Sequence, residues 1–334
     1  MQASIGFVVF LSLYLFLSLP YPSLGANAKC NSNDRKALLQ IKAAFIDRYH
    51  FVSWAPDVDC CEWYGLECDP NTGRVITLSV LAGNLSGQIP PAIGDLTDLQ
   101  ILIFHKLSNV TGQIPSAISK LVHLKQLILS NTNLSGPVPS FLGQLKNLTF
   151  LDLSFNNLAG SIPPSLFELP NLGGLRLDRN KLTGSIPDSF GNFVGTAPDL
   201  YLSHNMLSGP LPKSIGNVNF TLEIDFSRNN LQGDPSLLFG KNKTVHFVDL
   251  SRNLFEFDLS KVEFPDSLTN LDLNHNKIFG SLPNGLTELT LQFFNVSYNS
   301  LCGQIPQGGK LQSFDNYTYF HNRCLCGAPL PDCK

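Results

Sequence analysis

Leu148-Thr-Phe-Leu-Asp-Leu-Ser-Phe-Asn156-Asn-Leu-Ala-Gly-Ser-Ile-Pro163 is followed 24 residues later by Leu172-Gly-Gly-Leu-Arg-Leu-Asp-Arg-Asn180-Lys-Leu-Thr-Gly-Ser-Ile-Pro187. The same asparagine position recurs at Asn205, Asn229, Asn253, Asn276 and Asn299, with spacings of 25, 24, 24, 23 and 23. A fixed period of this length marks a repeat architecture. Earlier copies are imperfect: Gly83 and Thr132 take the asparagine position, and the copy near Asn109 carries one extra residue. We count ten repeats, from about Val75 to about Phe314.

Each position of the unit has a physical task. The alternation Leu151-Asp-Leu153 predicts a short strand with both leucines inward and the middle side chain outward. The asparagine follows where the chain turns, and its amide can satisfy backbone groups that would be costly to bury alone. Glycines such as Gly160 and Gly184 permit positive φ, and Ile-Pro sets the return path into a turn of helix such as Pro164-Ser-Leu-Phe-Glu-Leu169. No single coil can bury its own leucines, whereas stacked coils can. The expected fold is an α/β solenoid: a right-handed leucine-rich-repeat superhelix whose parallel β-sheet, roughly 45 Å long at about 4.8 Å per strand, lines the concave side.

The flanks supply the ends. Ile5-Gly-Phe-Val-Val-Phe-Leu-Ser-Leu-Tyr-Leu-Phe-Leu-Ser-Leu19, a Pro20-Tyr-Pro22 break and Ala26-Asn-Ala28 read as a secretory leader over residues 1–28. It is too short to span a bilayer. An amphipathic helix signal follows at Asp34–Phe45, with Asn33 or Asp34 as its N-cap. Cys30, Cys60, Cys61 and Cys68 lie before the repeats, and Cys302, Cys324, Cys326 and Cys333 lie at the far end. In an exported chain these are disulfides, with three pairings open to each cluster. The neighbours Cys60 and Cys61 are poorly placed to bond to each other; the expected set is Cys30–Cys60, Cys61–Cys68, Cys302–Cys324 and Cys326–Cys333. The chain thus divides into a leader at 1–28, an N-terminal cysteine cap at 29–74, the repeats at 75–314 and a C-terminal cysteine cap at 315–334.

Several segments carry a resemblance to a known family. Ala37-Leu-Leu-Gln-Ile-Lys42, Asp59-Cys-Cys-Glu-Trp63, Phe247-Val-Asp-Leu-Ser-Arg-Asn253, Cys302-Gly-Gln-Ile-Pro-Gln-Gly-Gly-Lys-Leu-Gln-Ser-Phe314 and Tyr319-Phe-His-Asn-Arg-Cys-Leu-Cys-Gly-Ala-Pro-Leu-Pro331 closely resemble the polygalacturonase-inhibiting proteins, whose repeats are of the plant type. The resemblance covers essentially the whole mature chain. It implies an extracellular protein of the plant cell wall that inhibits pectin-degrading endopolygalacturonases of fungi and insects through its concave sheet. It implies acidic contacts at Asp152, Asp178 and Asp225, and it places His246 where relatives commonly carry a specificity-linked glutamine. Pectin itself stands as a second candidate partner.

The outward residue between the strand leucines reads, down the stack, Ser79, Ile103, Ile128, Asp152, Arg176, Tyr201, Asp225, Asp249, Asp272 and Asn295. Flanking it are Glu223, His246, Phe247 and basic residues including Arg179, Arg228 and Arg252. Any one of these can be an ordinary solvated side chain. Aspartates at about 4.8 Å spacing, however, repel unless something else benefits, and a cationic partner would. Tyr201 and Phe247 are the expected aromatic anchors. The expected partner surface is therefore Asp152, Arg176, Asp178, Tyr201, Glu223, Asp225, His246, Phe247, Asp249 and Asp272.

Sequons mark Asn84, Asn109, Asn133, Asn147, Asn219, Asn242 and Asn316 as glycosylation candidates; Asn295 also lies in one but points into the proposed face and is expected bare. The net charge of −3 and charged fraction of 15% give no broad attraction to nucleic acid or anionic lipid. No HExxH, GxSxG, GxGxxG or Walker loop is present, so no catalytic residue, cofactor or metal is expected; Asp57-Val-Asp59 reads as a solvated cap loop. The main rival is ice binding, known in a relative of these inhibitors. That function wants a flat array of small polar side chains, and the outward column is mixed in size and charge.

Overall fold

Ten parallel strands, one per repeat, stack from Val75–Leu81 to Phe293–Asn295, and the antiparallel strand Leu66–Cys68 closes the N-terminal edge. This computed structural model describes residues 28–46, 49–193, 197–219 and 222–334. The leader reading falls outside the described residues except for Ala28. Among the described residues no helix is long and apolar enough to cross a membrane.

The leucines of each coil point inward as their alternation requires: Leu127, Leu151, Leu175 and Leu200 sit in register beneath the sheet and are fully buried. After the strand, the residue before each repeat asparagine takes a left-handed conformation, as at Phe155 (φ 54°), Arg179 (φ 55°) and Arg228 (φ 54°). That conformation costs a non-glycine residue about 1–2 kcal/mol. The turn is held by bonds to the next coil, such as Phe155 N–H to Asp178 O at 3.0 Å. The asparagine completes the lock. Asn156 donates to Leu129 O of the coil before (2.7 Å) and to Leu153 O (3.0 Å) and Ser154 O (3.1 Å) of its own coil, while its Oδ1 accepts from Leu134 N (3.1 Å).

Three features depart from or extend the sequence reading. The helix Ser32–Ala44 is N-capped by Asn31, two residues before Asn33 and three before Asp34, the caps expected from the sequence. Asp34 instead turns inward, accepting from Arg74 Nε (2.9 Å) and Val75 N (2.8 Å), and so ties the cap helix to the first coil. A second run of short parallel strands forms on the far side of the asparagine turn, pairing Asn157–Gly160 with Lys181–Gly184 and Met206–Pro210 with Asn230–Gly233. Finally, the C-terminal cap extends the asparagine ladder by one rung. Asn322 donates to Val296 O (3.0 Å) and accepts from Leu301 N (3.1 Å), so the cap's own backbone satisfies the last coil.

The irregular copies have physical counterparts. Between Leu107 and Thr111 the register shifts, which absorbs the extra residue as a bulge. Thr132 fills the asparagine position by donating its hydroxyl to Asn156 Oδ1. At the N-terminal end Trp54 and Trp63 stack with ring centroids 5.3 Å apart over the first coil, both buried. Disulfides join Cys30 to Cys60, Cys61 to Cys68, Cys302 to Cys324 and Cys326 to Cys333.

Candidate partner-binding face

The outward positions form continuous columns because every coil contributes the same three sites. In register across the sheet stand Ser79, Ile103, Ile128, Asp152, Arg176, Tyr201, Asp225, Asp249, Asp272 and Asn295. Two residues earlier runs a second column that includes Phe150, Gly174, Asp199, Glu223, Phe247 and Asn270. The left-handed turn sets a third column, with Lys106, Phe155, Arg179, His204, Arg228, Arg252, His275, Tyr298 and His321.

The central column is less free than its outward pattern implies. Asp152 Oδ1 accepts from Ser154 N (2.9 Å) and Ser154 Oγ (2.6 Å), and Asp225 repeats both bonds to Ser227 at 3.0 and 2.7 Å. Asp249 accepts from Ser251 N at 2.8 Å, and Asp272 accepts from Asn274 N at 3.0 Å and Asn274 Nδ2 at 2.6 Å. Each aspartate closes the turn at its own strand end, an internal reason for carboxylates to line up without a cationic partner. Asp152 and Asp178 are 8% and 4% exposed and lie beneath the surface.

Electrostatics follow from that burial. Burial, then the neighbouring Asp272 and Asp225 carboxylates, push Asp249 up to about 7. Asp272 rises to about 6, chiefly from burial. Burial raises Asp178 as well, against the opposing pull of Arg176. Near pH 6 the aspartate column therefore carries less negative charge than a count of residues gives. The third column is basic: Arg179, Arg228 and Arg252 are exposed, while His204 and His275 are held below the ordinary histidine value by burial and then by these arginines.

Between the columns lies one ordered cluster. The Arg176 guanidinium stacks over the Tyr201 ring at 4.7 Å and reaches Asp178 Oδ1 at 3.4 Å. The Tyr201 hydroxyl donates to Glu223, whose backbone N–H donates to Asp199 Oδ1 at 3.1 Å. Gly174 makes room for the Phe150 ring of the preceding coil, since a Cβ there would stand 2.7 Å from it. Phe247 is half-buried between Glu223 and Asn270, and His246 stands exposed one residue outside the strand. The structure thus gathers Arg176, Asp178, Tyr201 and Glu223, runs Asp225, Asp249 and Asp272 one coil apart beside them, and leaves His246 at the margin. The basic column was readable from the residue before each repeat asparagine, where Arg179, Arg228 and Arg252 stand with His204 and His275.

Comparison with known proteins places this geometry. The N-terminal cap matches the family described as Leucine rich repeat N-terminal domain over residues 31–69, and the Leucine Rich Repeat family matches residues 123–145, 147–169, 171–193, 199–218 and 267–289. The polygalacturonase inhibitor of Pyrus communis is 65% identical over 329 residues, 98% of this chain and 99% of that one. The chain belongs to the polygalacturonase inhibitor family. The inhibitor of Vitis vinifera is 60% identical over the full length of both chains. Among solved structures, a plant ice-binding protein is 55% identical with a TM-score of 0.89, over 92% of this chain and 99% of that one. The polygalacturonase inhibitor family thus shares its architecture with a protein that binds ice.

Proposed function

We propose that this chain is an exported inhibitor of fungal and insect endopolygalacturonases, acting in the plant cell wall by holding the enzyme on its concave face. The near full-length likeness to proteins named polygalacturonase inhibitors carries this reading. The face offers the means: a pre-ordered Arg176–Tyr201–Glu223 cluster, the aromatic Phe247 and a graded acidic run through Asp225, Asp249 and Asp272. His246 at the margin contacts enzyme residues that differ between targets. Asp152 and Asp178 act from beneath, holding the strand turn and Arg176 in place. The role is occupancy, not turnover. An inhibition assay of the secreted protein against a panel of polygalacturonases tests it, and failure against every member sinks it. The basic third column supports pectin as a further ligand, because its side chains are spaced to meet a chain of carboxylates.

Ice binding is the second reading, favoured by small polar side chains on the second run of strands at Ser135, Thr183 and Ser208 and just past the strand ends at Ser161 and Ser185, all exposed. The outward column weighed in the sequence reading is not this surface. A thermal-hysteresis measurement separates the two readings, since an inhibitor without ice affinity leaves the freezing point at its colligative value.

A further inference from the structure

The N-terminal cap exposes an unusual amount of apolar surface. Ile46 is 83% exposed, Tyr49 80%, Val52 72% and Tyr64 69%. Tyr49, Val52, Tyr64 and Leu81 line an open cavity of about 560 Å³, and among the described residues its wall, completed by His50, Ser53 and Ala82, holds no Asp, Glu, Lys or Arg. Contiguous exposed apolar patches signal something that covers them. An uncharged wall of two tyrosines and aliphatic carbons suits a ligand with apolar C–H faces and neutral polar groups.

The sequon Asn84-Leu-Ser86 lies at the edge of this patch. Gly83 packs against the His50 ring so closely that a Cβ there would stand 2.2 Å from Nε2. Ser86 O accepts from Ile46 N at 3.0 Å. Asn84 is therefore bracketed by the chain segment that carries the patch, while the intervening Leu85 is fully buried and anchors the sequon to the core. Four other sequon asparagines are engaged, whereas Asn109, Asn242 and Asn316 are exposed like Asn84: Asn133 Oδ1 accepts from Asn157, Asn147 Nδ2 donates to Val122 O (2.8 Å), Asn219 Oδ1 accepts from Thr244 N (3.2 Å), and Asn295 Oδ1 accepts from Ser297 N (3.0 Å). Asn84 is exposed and has no side-chain hydrogen bond among the described residues, so a glycan there displaces nothing.

We propose that Asn84 carries an N-linked glycan whose first N-acetylglucosamine residues lie across Tyr49, Val52, Tyr64 and Leu81. This rests on export through the secretory route, not on the identity of the partner enzyme. The amide nitrogen of Asn84 bonds to C1 of a lipid-diphosphate-linked sugar donor; the lipid diphosphate leaves, one amide proton is released and one N–H remains. The glycan then serves as an intramolecular cover for surface that the chain itself leaves open at the end of the solenoid.

The test uses full-length protein secreted from plant cells. Peptide mapping reads occupancy at Asn84, and nitration by tetranitromethane reads the reactivity of Tyr49 and Tyr64. Expected are an occupied Asn84, nitration of both tyrosines several-fold faster in Asn84→Gln and in Ser86→Ala, and wild-type protection in Ser86→Thr, which keeps the sequon. Two different losses of the sequon guard against a local folding effect of either one. An unmodified Asn84, or tyrosines equally reactive with and without the glycan, overturns the proposal. Protection that grows with protein concentration would assign the patch to a second copy, and protection only upon adding polygalacturonase would assign it to the enzyme; both also overturn it.

Discussion

The Arg176 guanidinium carbon stands 4.7 Å from the centroid of the Tyr201 ring, on the neighbouring coil, while the Tyr201 hydroxyl donates to Glu223 on the coil beyond. Three coils are thus linked by one ordered chain of contacts. A side chain already held in place loses little rotamer freedom on binding, which makes Tyr201 a better anchor than an isolated surface aromatic.

Replacing this ring should be costly to binding and cheap to folding. Tyr201→Ala is expected to weaken inhibition by about 2 kcal/mol or more, roughly thirtyfold. Tyr201→Phe keeps the seat for Arg176, removes only the bond to Glu223 and should lose much less. Inhibition constants for both, with melting curves as control, check this; equal losses would show that the hydroxyl, not the ring, matters.

For the aspartates the order is reversed. Asp152→Ala and Asp225→Ala each remove two hydrogen bonds from a strand-end turn, and bonds to a charged acceptor contribute about 1.5–3 kcal/mol. Their melting temperatures should fall. Asp225→Asn retains the acceptor oxygen and should melt near the wild type, so its inhibition constant isolates the charge. A wild-type melting curve for Asp152→Ala would remove the structural role assigned to this carboxylate.

Asp249 and Asp272, raised to about 7 and about 6, bind protons more tightly in the folded chain than in the unfolded one, where a carboxyl titrates near about 4. Their contribution to stability is full below that ordinary value and is lost as pH rises through about 6 and 7. Asp249→Asn should therefore flatten the decline of melting temperature between pH 5 and 8. A decline of wild-type steepness in that variant would refute the assignment.

The ladder asparagine predicts a larger effect. Asn229 donates to Leu202 O, Phe226 O and Ser227 O at 3.0, 3.1 and 3.2 Å and accepts from Leu207 N at 3.0 Å, all buried. Asn229→Ala leaves these groups unpaired and should cost about 3–5 kcal/mol at roughly 1 kcal/mol or more per bond. Amide exchange at Leu207 should accelerate more than exchange in coils far from the substitution.

Binding to an acidic pectin chain should depend on Arg179, Arg228 and Arg252. Replacing all three with glutamine is expected to abolish retention on immobilised homogalacturonan, and salt should elute the wild type. Retention should strengthen as pH falls toward 5, because His204 and His275 gain charge while Asp249 and Asp272 lose it. Salt-insensitive retention would count against the basic column.

Repeat period, inward leucines and ladder asparagines were all legible in the sequence, because each is a local rule applied again every 23 to 25 residues, and the two cysteine clusters stood out at the ends of the chain. Periodicity also named the outward column correctly, since side-chain alternation along a strand fixes which face a residue takes. It did not show what an outward residue does. That Asp152 turns back to Ser154, that Arg176 meets the Tyr201 ring and that Asp34 abandons the helix cap for Arg74 and Val75 all depend on groups brought close by stacking or by a local turn. The basic column likewise exists only because a left-handed turn aligns one side chain from every coil. Sequence by itself therefore determined the solenoid and its caps, whose energetics are repeated and nearest-neighbour. Only the tertiary structure decided which side chains on the face are free, which are buried and which are charged, because those properties arise from distances between coils that no single repeat contains.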